Sequence, residues 1–187
     1  MITEIRILSR GGQGGVTGAK LLAYAGFLDN FSVQAIPKYG AERKGAPIFA
    51  DIRLSSEEIL THAPVMTDMA DYWIILDSEL PVPIDQAKDG AVIVFNARSV
   101  PEYARGAPKV KTGFVDATRI AQECDLVKSG TPLVNVAMLG AWAKSSEGLV
   151  SIDALCSSVE KTYGKGDLTE RNIRSIRQAY DEFQFEE

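Results

Sequence analysis

The stretch Glu4-Ile5-Arg6-Ile7-Leu8-Ser9-Arg10-Gly11-Gly12-Gln13-Gly14-Gly15-Val16-Thr17 decides the fold. Glu4 to Leu8 has the composition of a short strand, and it runs directly into the turn Arg10 to Gly15. Beyond the turn, Val16, Ala19, Leu22, Ala23 and Phe27 recur at helical spacing. Strand, glycine turn and amphipathic helix in that order open a Rossmann-like sheet. A helix that begins on glycines presents unpaired backbone amides and the positive end of its dipole. With no Cβ in the way, a phosphate can come close. Gly11, Gly12, Gly14 and Gly15 are therefore candidate phosphate ligands, and Gln13 and Thr17 are candidate hydrogen-bond donors beside them. A structural reading stands next to this one, because glycine turns also serve tight strand-to-helix packing.

Two common nucleotide fingerprints are absent from this loop. Thr17 occupies the position where a dinucleotide fold places its third glycine, and the second strand ends in Gln34-Ala35-Ile36-Pro37-Lys38 with no acid to hold a ribose. Gly18-Ala19-Lys20 is not the Gly-Lys-Ser/Thr of a nucleotide-hydrolysing loop. Both an independent NAD-linked dehydrogenase and an ATPase are disfavoured.

Working outward, Phe31 to Ile36 predicts the second strand, and Pro37 with the polar run Lys38 to Pro47 predicts a long loop. In that loop Arg43 and Lys44 are candidate charged clamps for the same anion, Arg43 being suited to a two-pronged grip. Ile48, Ala50, Ile52 and Leu54 alternate with Phe49, Asp51 and Arg53, which predicts a strand with one wetter face, at an edge or as an antiparallel insertion. Tyr72 to Leu76 and Ala91 to Phe95 are continuous apolar runs, expected as strands covered on both faces, and Gly113 to Asp116 is a weaker candidate. Pro132 to Lys144 is apolar nearly all round, which predicts a buried helix partly covered by a partner subunit. Ser151 is the expected cap of a further helix. Gly164-Lys165-Gly166 separates it from a last one whose stripe is Ile173, Ile176, Tyr180 and Phe183. The expectation is one α/β domain over residues 1–187: a Rossmann-like, mostly parallel sheet, helices on both faces, and a helical C-terminal part.

Composition narrows the function. The chain has 187 residues, 45% hydrophobic and 24% charged, with a net charge of −5, which suits a globular domain and argues against nucleic-acid binding. Residues 1–53 hold seven Lys/Arg against four Asp/Glu, so the first third is net basic and would draw an anion. No apolar run approaches membrane-spanning length and no basic leader precedes one, so a cytoplasmic location is expected. Cys124 and Cys156 cannot ligate an iron-sulfur cluster, and His62 has no neighbouring Cys or Asp to make it a base or a metal ligand. No metal site and no catalytic acid, base or nucleophile is expected.

Three stretches together carry a family resemblance: Ser9 to Thr17, then Tyr39-Gly40-Ala41-Glu42-Arg43-Lys44-Gly45-Ala46-Pro47, then Pro132-Leu133-Val134-Asn135-Val136-Ala137-Met138-Leu139-Gly140-Ala141. In order and spacing they resemble the gamma subunit of the 2-oxoacid:ferredoxin oxidoreductases, the pyruvate and 2-oxoglutarate synthase group. The sequence departs from the family pattern at Ser9, where glycine is usual, and at Lys44-Gly45-Ala46, where a second glycine is common. The resemblance implies a complex that decarboxylates a 2-oxoacid on thiamine diphosphate, passes two electrons through [4Fe-4S] clusters to ferredoxin, and transfers the acyl group to coenzyme A. It implies alpha, beta and iron-sulfur (delta-type) partner subunits that carry the thiamine site and the clusters. The gamma part is then non-catalytic and helps to hold coenzyme A and to build the assembly. A purely structural assembly module is the alternative.

Overall fold

The computed structural model describes residues 1–37 and 45–186. Nine strands are present among them: β1 (Ile2–Arg10), β2 (Ser32–Pro37), β3 (Pro47–Ser55), β4 (Tyr72–Ile75), β5 (Val92–Asn96), β6 (Lys111–Val115), β7 (Val127–Lys128), β8 (Thr131–Pro132) and β9 (Gln184–Phe185). The α-helices are α1 (Gly15–Leu28), α2 (Ala117–Glu123), α3 (Ala137–Ser145), α4 (Ile152–Tyr163) and α5 (Asp167–Glu182). Seven strands form one sheet in the order β2-β3-β1-β4-β5-β6-β9. β1, β4, β5 and β6 pair in parallel, and β2 shares their direction. Only β3 and β9 run against it. The sheet is thus mostly parallel, as expected.

The two faces are covered unequally. Against one face, Ile5, Ile7, Ile52, Leu54, Ile74 and Val94 pack with the apolar sides of all five α-helices. The other face, with Leu8, Trp73, Ile75, Ile93 and Phe95, is closed by irregular segments whose only helical pieces among the described residues are single 3₁₀ turns at Ile84–Gln86 and Glu102–Ala104. Helices do occur on both sides, but the α-helical layer is one-sided.

The alternating stretch forms β3, inserted antiparallel between β1 and β2. Its polar face is not wetter: Asp51 and Arg53 are as buried as Ile52 and Leu54. The reason is that β1 offers matching charges. Arg6 stands opposite Asp51, and Glu4 stands opposite Arg53 in the antiparallel register. Arg6 donates to Asp51 at 2.7 and 2.9 Å, and Arg53 donates to Glu4 at 2.7 Å. Burial of each charge is tolerated because it is paired and hydrogen-bonded. The segment 56–71 crosses this ladder, with the carbonyl of Thr61 accepting from Gln34 at 2.9 Å and that of Val65 accepting from Arg6.

The apolar stretch 132–144 becomes helical only from Ala137. Thr131–Pro132 instead pairs with Val127–Lys128 across a turn in which Ser129 and Gly130 take left-handed conformations. Nor is a partner needed to cover α3. Residues Ala137 to Ala143 are already buried between the sheet and α5. Gly140 permits that approach, since a Cβ there would overlap the backbone of Ile176. The α5 face that meets it carries Asn172, Ser175, Ile176 and Ala179; of the expected stripe Ile176 and Phe183 are buried, whereas Ile173 and Tyr180 are only half-buried. Ser151 caps α4 as expected, accepting from the Ala154 amide at 3.1 Å.

Candidate functional site

β1 ends at Arg10, and the chain turns tightly: the Gln13 amide donates to the Arg10 carbonyl at 3.1 Å, and the Gly11 amide to the Ala46 carbonyl at 3.0 Å. Gly12 and Gly14 have φ of 95° and 80°, so the turn depends on glycine at both positions. Gly14 caps α1 without any side-chain contribution. The first intrahelical bond runs from Gly18 to the Gly14 carbonyl at 2.9 Å. Among the described residues no acceptor meets the amides of Gly15, Val16 or Thr17, and no acid stands in the first turn. Three donors and the positive end of a fourteen-residue helix are therefore available to an anion.

The candidates do not all occupy the same position. Gly12 is exposed, and nothing lies where a Cβ would project. Gly15 is buried, and a Cβ there would collide with the Ser9 hydroxyl. Thr17 is exposed in the first turn. Gln13 is committed at both ends: its Oε1 accepts from the Arg10 amide at 2.7 Å, and its Nε2 donates to Asp77 at 3.2 Å. Gln13 therefore braces the turn. Arg43 and Lys44 lie outside the described residues.

Sequence reasoning missed two side chains that the fold brings to the loop. Asp77 follows β4 and takes an ion pair from Arg10 at 2.5 Å. Its position was legible as the first charge after a continuous apolar strand, since ligands in open α/β sheets gather beyond the carboxyl ends of parallel strands. Asn135 donates from Nδ2 to the Gly14 carbonyl at 3.2 Å and is only 7% exposed. A lone amide within Leu133-Val134-Asn135-Val136 was the available signal. Through Asn135 and Ala46, parts of all three quoted stretches converge on this one end of the sheet.

Elsewhere, a depression of about 790 Å³ opens at the opposite end of the sheet beside Tyr72, Val92, Lys111 and Glu147. Burial raises the Tyr72 phenol above its ordinary pKa, with Asp71 and Glu147 adding to the shift, so it stays protonated. Both cysteines are free and buried, and burial holds the Cys156 thiol above its usual range. Among the described residues no group of three or more His, Cys, Asp or Glu could hold a metal ion, and no helix is long and apolar enough to cross a membrane.

A mostly parallel sheet with a glycine-capped helix at its carboxyl end defines an α/β protein of the Rossmann-like class. Residues 4–182 match the family model described as pyruvate ferredoxin/flavodoxin oxidoreductase. The chain is 40% identical over 184 residues to the pyruvate synthase subunit PorC of Methanothermobacter thermautotrophicus, covering 97% of this chain and 96% of that one. It is 38% identical over 185 residues to the common gamma subunit of the pyruvate/ketoisovalerate oxidoreductases of Pyrococcus furiosus, covering 95% of each. Its fold superposes on the crystal structure of the pyruvate oxidoreductase subunit PORC of Thermotoga maritima with a TM-score of 0.82 and 28% identity, over 100% of this chain and 99% of that one. A 2-oxoglutarate:ferredoxin oxidoreductase from Magnetococcus marinus shares the fold over 96% of this chain and 30% of that chain, with a TM-score of 0.74 at 19% identity. The chain belongs to the pyruvate ferredoxin/flavodoxin oxidoreductase family, and within it to the gamma type.

Proposed function

We propose that this gamma subunit of a 2-oxoacid:ferredoxin oxidoreductase holds the phosphate-bearing end of coenzyme A at the N-terminus of α1. The observation that carries the reading is the set of three amides, at Gly15, Val16 and Thr17, left without acceptors at a helix end bare of acids. Gly11, Gly12 and Gly14 give access, and the Thr17 hydroxyl adds a donor. Arg43 and Lys44 remain proposed as charged clamps. The chain itself is non-catalytic in this reading. The thiamine diphosphate and the [4Fe-4S] clusters reside on alpha, beta and delta-type partners, ferredoxin takes the electrons, and the assembly works in the cytoplasm as one domain per gamma chain. The Magnetococcus marinus enzyme, which shares this fold over 30% of its chain, was solved with 2-oxoglutarate, coenzyme A and succinyl-CoA bound, which is consistent with this assignment.

One feature favours the alternative of a structural module. Gly15 and Gly14 pack so closely on Ser9 and Asn135 that glycine is required there whatever binds. Substitutions at those glycines therefore do not separate the readings, whereas Thr17→Val does, because it removes an exposed hydroxyl and keeps the shape. A hydrogen bond to a charged group is worth about 1.5–3 kcal/mol, so the KM for coenzyme A of the purified complex should rise by about tenfold or more. An unchanged KM with normal assembly would take the Thr17 hydroxyl out of the cradle and count for the structural module.

A further inference from the structure

The amides of α1 build one side of the crevice between the carboxyl ends of β1 and β4, and side chains build the other. Asp77 accepts three donors: Arg10 Nε at 2.5 Å, Gln13 Nε2 at 3.2 Å and the Glu79 amide at 3.0 Å. Its carboxylate thus has donors on both oxygens, and Arg10 balances its charge. Arg10 is in the opposite condition. Among the described residues its side chain makes one hydrogen bond, from Nε. Its Nη2 has only Glu79 at 3.6 Å, and that carboxylate is 86% exposed. A guanidinium carries five N–H donors in a fixed fork, so a bond at Nε orients the plane and leaves the terminal amino edge for a second, two-pronged partner. Gln13 fixes the backbone that bears it, since its Oε1 takes the Arg10 amide. On the far side of the loop, Asn135 is more than nine-tenths buried, and no described residue donates to its Oδ1. That acceptor is not sealed from solvent, so it can receive a hydrogen bond from a hydroxyl or amine placed against the loop.

We propose that Arg10 is the guanidinium that grips the phosphate ester at the glycine loop, with Asp77 as the residue that positions it through Nε. The ligand class is a nucleoside phosphate with the phosphate on Arg10 and the α1 amides and a hydroxyl or amine on Asn135. This inference rests on the reading above. It adds a charged contact supplied by β1, distinct from those expected of Arg43 and Lys44. Asp77 orients Arg10; it does not compete with the ligand for it.

The test uses the purified complex, with the KM for coenzyme A and the inhibition constant of adenosine 3′,5′-bisphosphate, a thiol-free fragment, as paired readouts. Arg10→Met raises both by about tenfold or more, the worth of a charge-assisted hydrogen bond, while the KM for the 2-oxoacid moves less than twofold. Arg10→Lys, which keeps the charge, recovers part of the loss. Asp77→Asn raises the inhibition constant several-fold, since the guanidinium keeps its charge and loses its orientation. A fall on Asp77→Asn would mean that Asp77 merely repels the anion, and would overturn the positioning role. If Thr17→Val weakens both ligands and Arg10→Met neither, the inference fails and the cradle stands. If neither variant moves either constant, the ligand reading itself fails.

Discussion

One face of the central sheet is built in two different ways. Over β4 and β5 it is apolar, with Trp73, Ile75, Ile93 and Phe95 fully buried beneath the 3₁₀ turns. Over β1 and β3 it is ionic, with Arg6, Asp51 and Arg53 equally inaccessible and Glu4 nearly so. Arg6 lies at the boundary, its guanidinium 4.9 Å from the Phe49 ring centre and 5.4 Å from that of Trp73. The difference tracks strand direction. The apolar half is parallel, and each crossover constrains its register. The ionic half contains the one inserted antiparallel strand of the sheet's interior. A slip of one residue would turn its core face outward. A slip of two would preserve the faces, and there the charges decide: it would set Arg6 opposite Arg53, or Glu4 opposite Asp51. Apolar residues such as Ile93 and Val94 impose no comparable penalty. The ladder therefore selects a register, which is a different task from adding stability.

The comparison breaks most visibly at Asp51. Asp51→Ala leaves Arg6 buried without its partner, and removing one member of a buried pair costs about 3–5 kcal/mol. Urea unfolding of the full chain should show a midpoint lowered accordingly. A loss below about 1 kcal/mol, in the range of an exposed pair, would mean that water reaches the ladder. The apolar half responds more mildly to its smallest deletion: Ile93→Val should cost about 0.5–1.5 kcal/mol in the same titration. A larger loss there than at Asp51 would reverse the ranking of the two halves.

The parallel half was the legible one. Tyr72 to Leu76 and Ala91 to Phe95 are continuous apolar runs, and such runs have one meaning in an α/β chain. The glycine loop was equally readable, since glycines with strand and helix flanking them leave little choice of geometry. β3 was half legible: its period was correct, but a polar alternate face implies water unless the neighbouring strand is known to carry opposite charges at matching positions. Glu4 and Arg6 are such charges, yet their pairing with Arg53 and Asp51 spans more than forty residues, and no local pattern encodes it. The same holds for α3. Its all-round apolar surface implied a partner, and the cover turned out to be α5, admitted by Gly140. At the site, Asp77 and Asn135 escaped notice because each comes from a distant segment. Contacts made at long sequence separation were what the chain's local chemistry could not reveal.

The smallest expected effect on stability sharpens the comparison furthest. Arg6→Met combined with Asp51→Leu makes the ionic half resemble the apolar half, and such replacements of buried pairs are often neutral or stabilising by about 1–4 kcal/mol. The urea midpoint should then stay near or above that of the unaltered chain. What should change is discrimination. A two-residue slip of β3 would now place Met opposite Arg53, or Glu4 opposite Leu, and neither arrangement opposes like charges. Hydrogen exchange of the peptide covering Pro47–Ser55 should become faster or divide into two populations, while β4 and β5 keep their protection. Uniform, unchanged protection across β3 would show that Ile52 and Leu54, packed beneath α1, hold the register by shape alone. The buried charges would then be tolerated passengers of the fold, and their strict alternation of sign would need another cause.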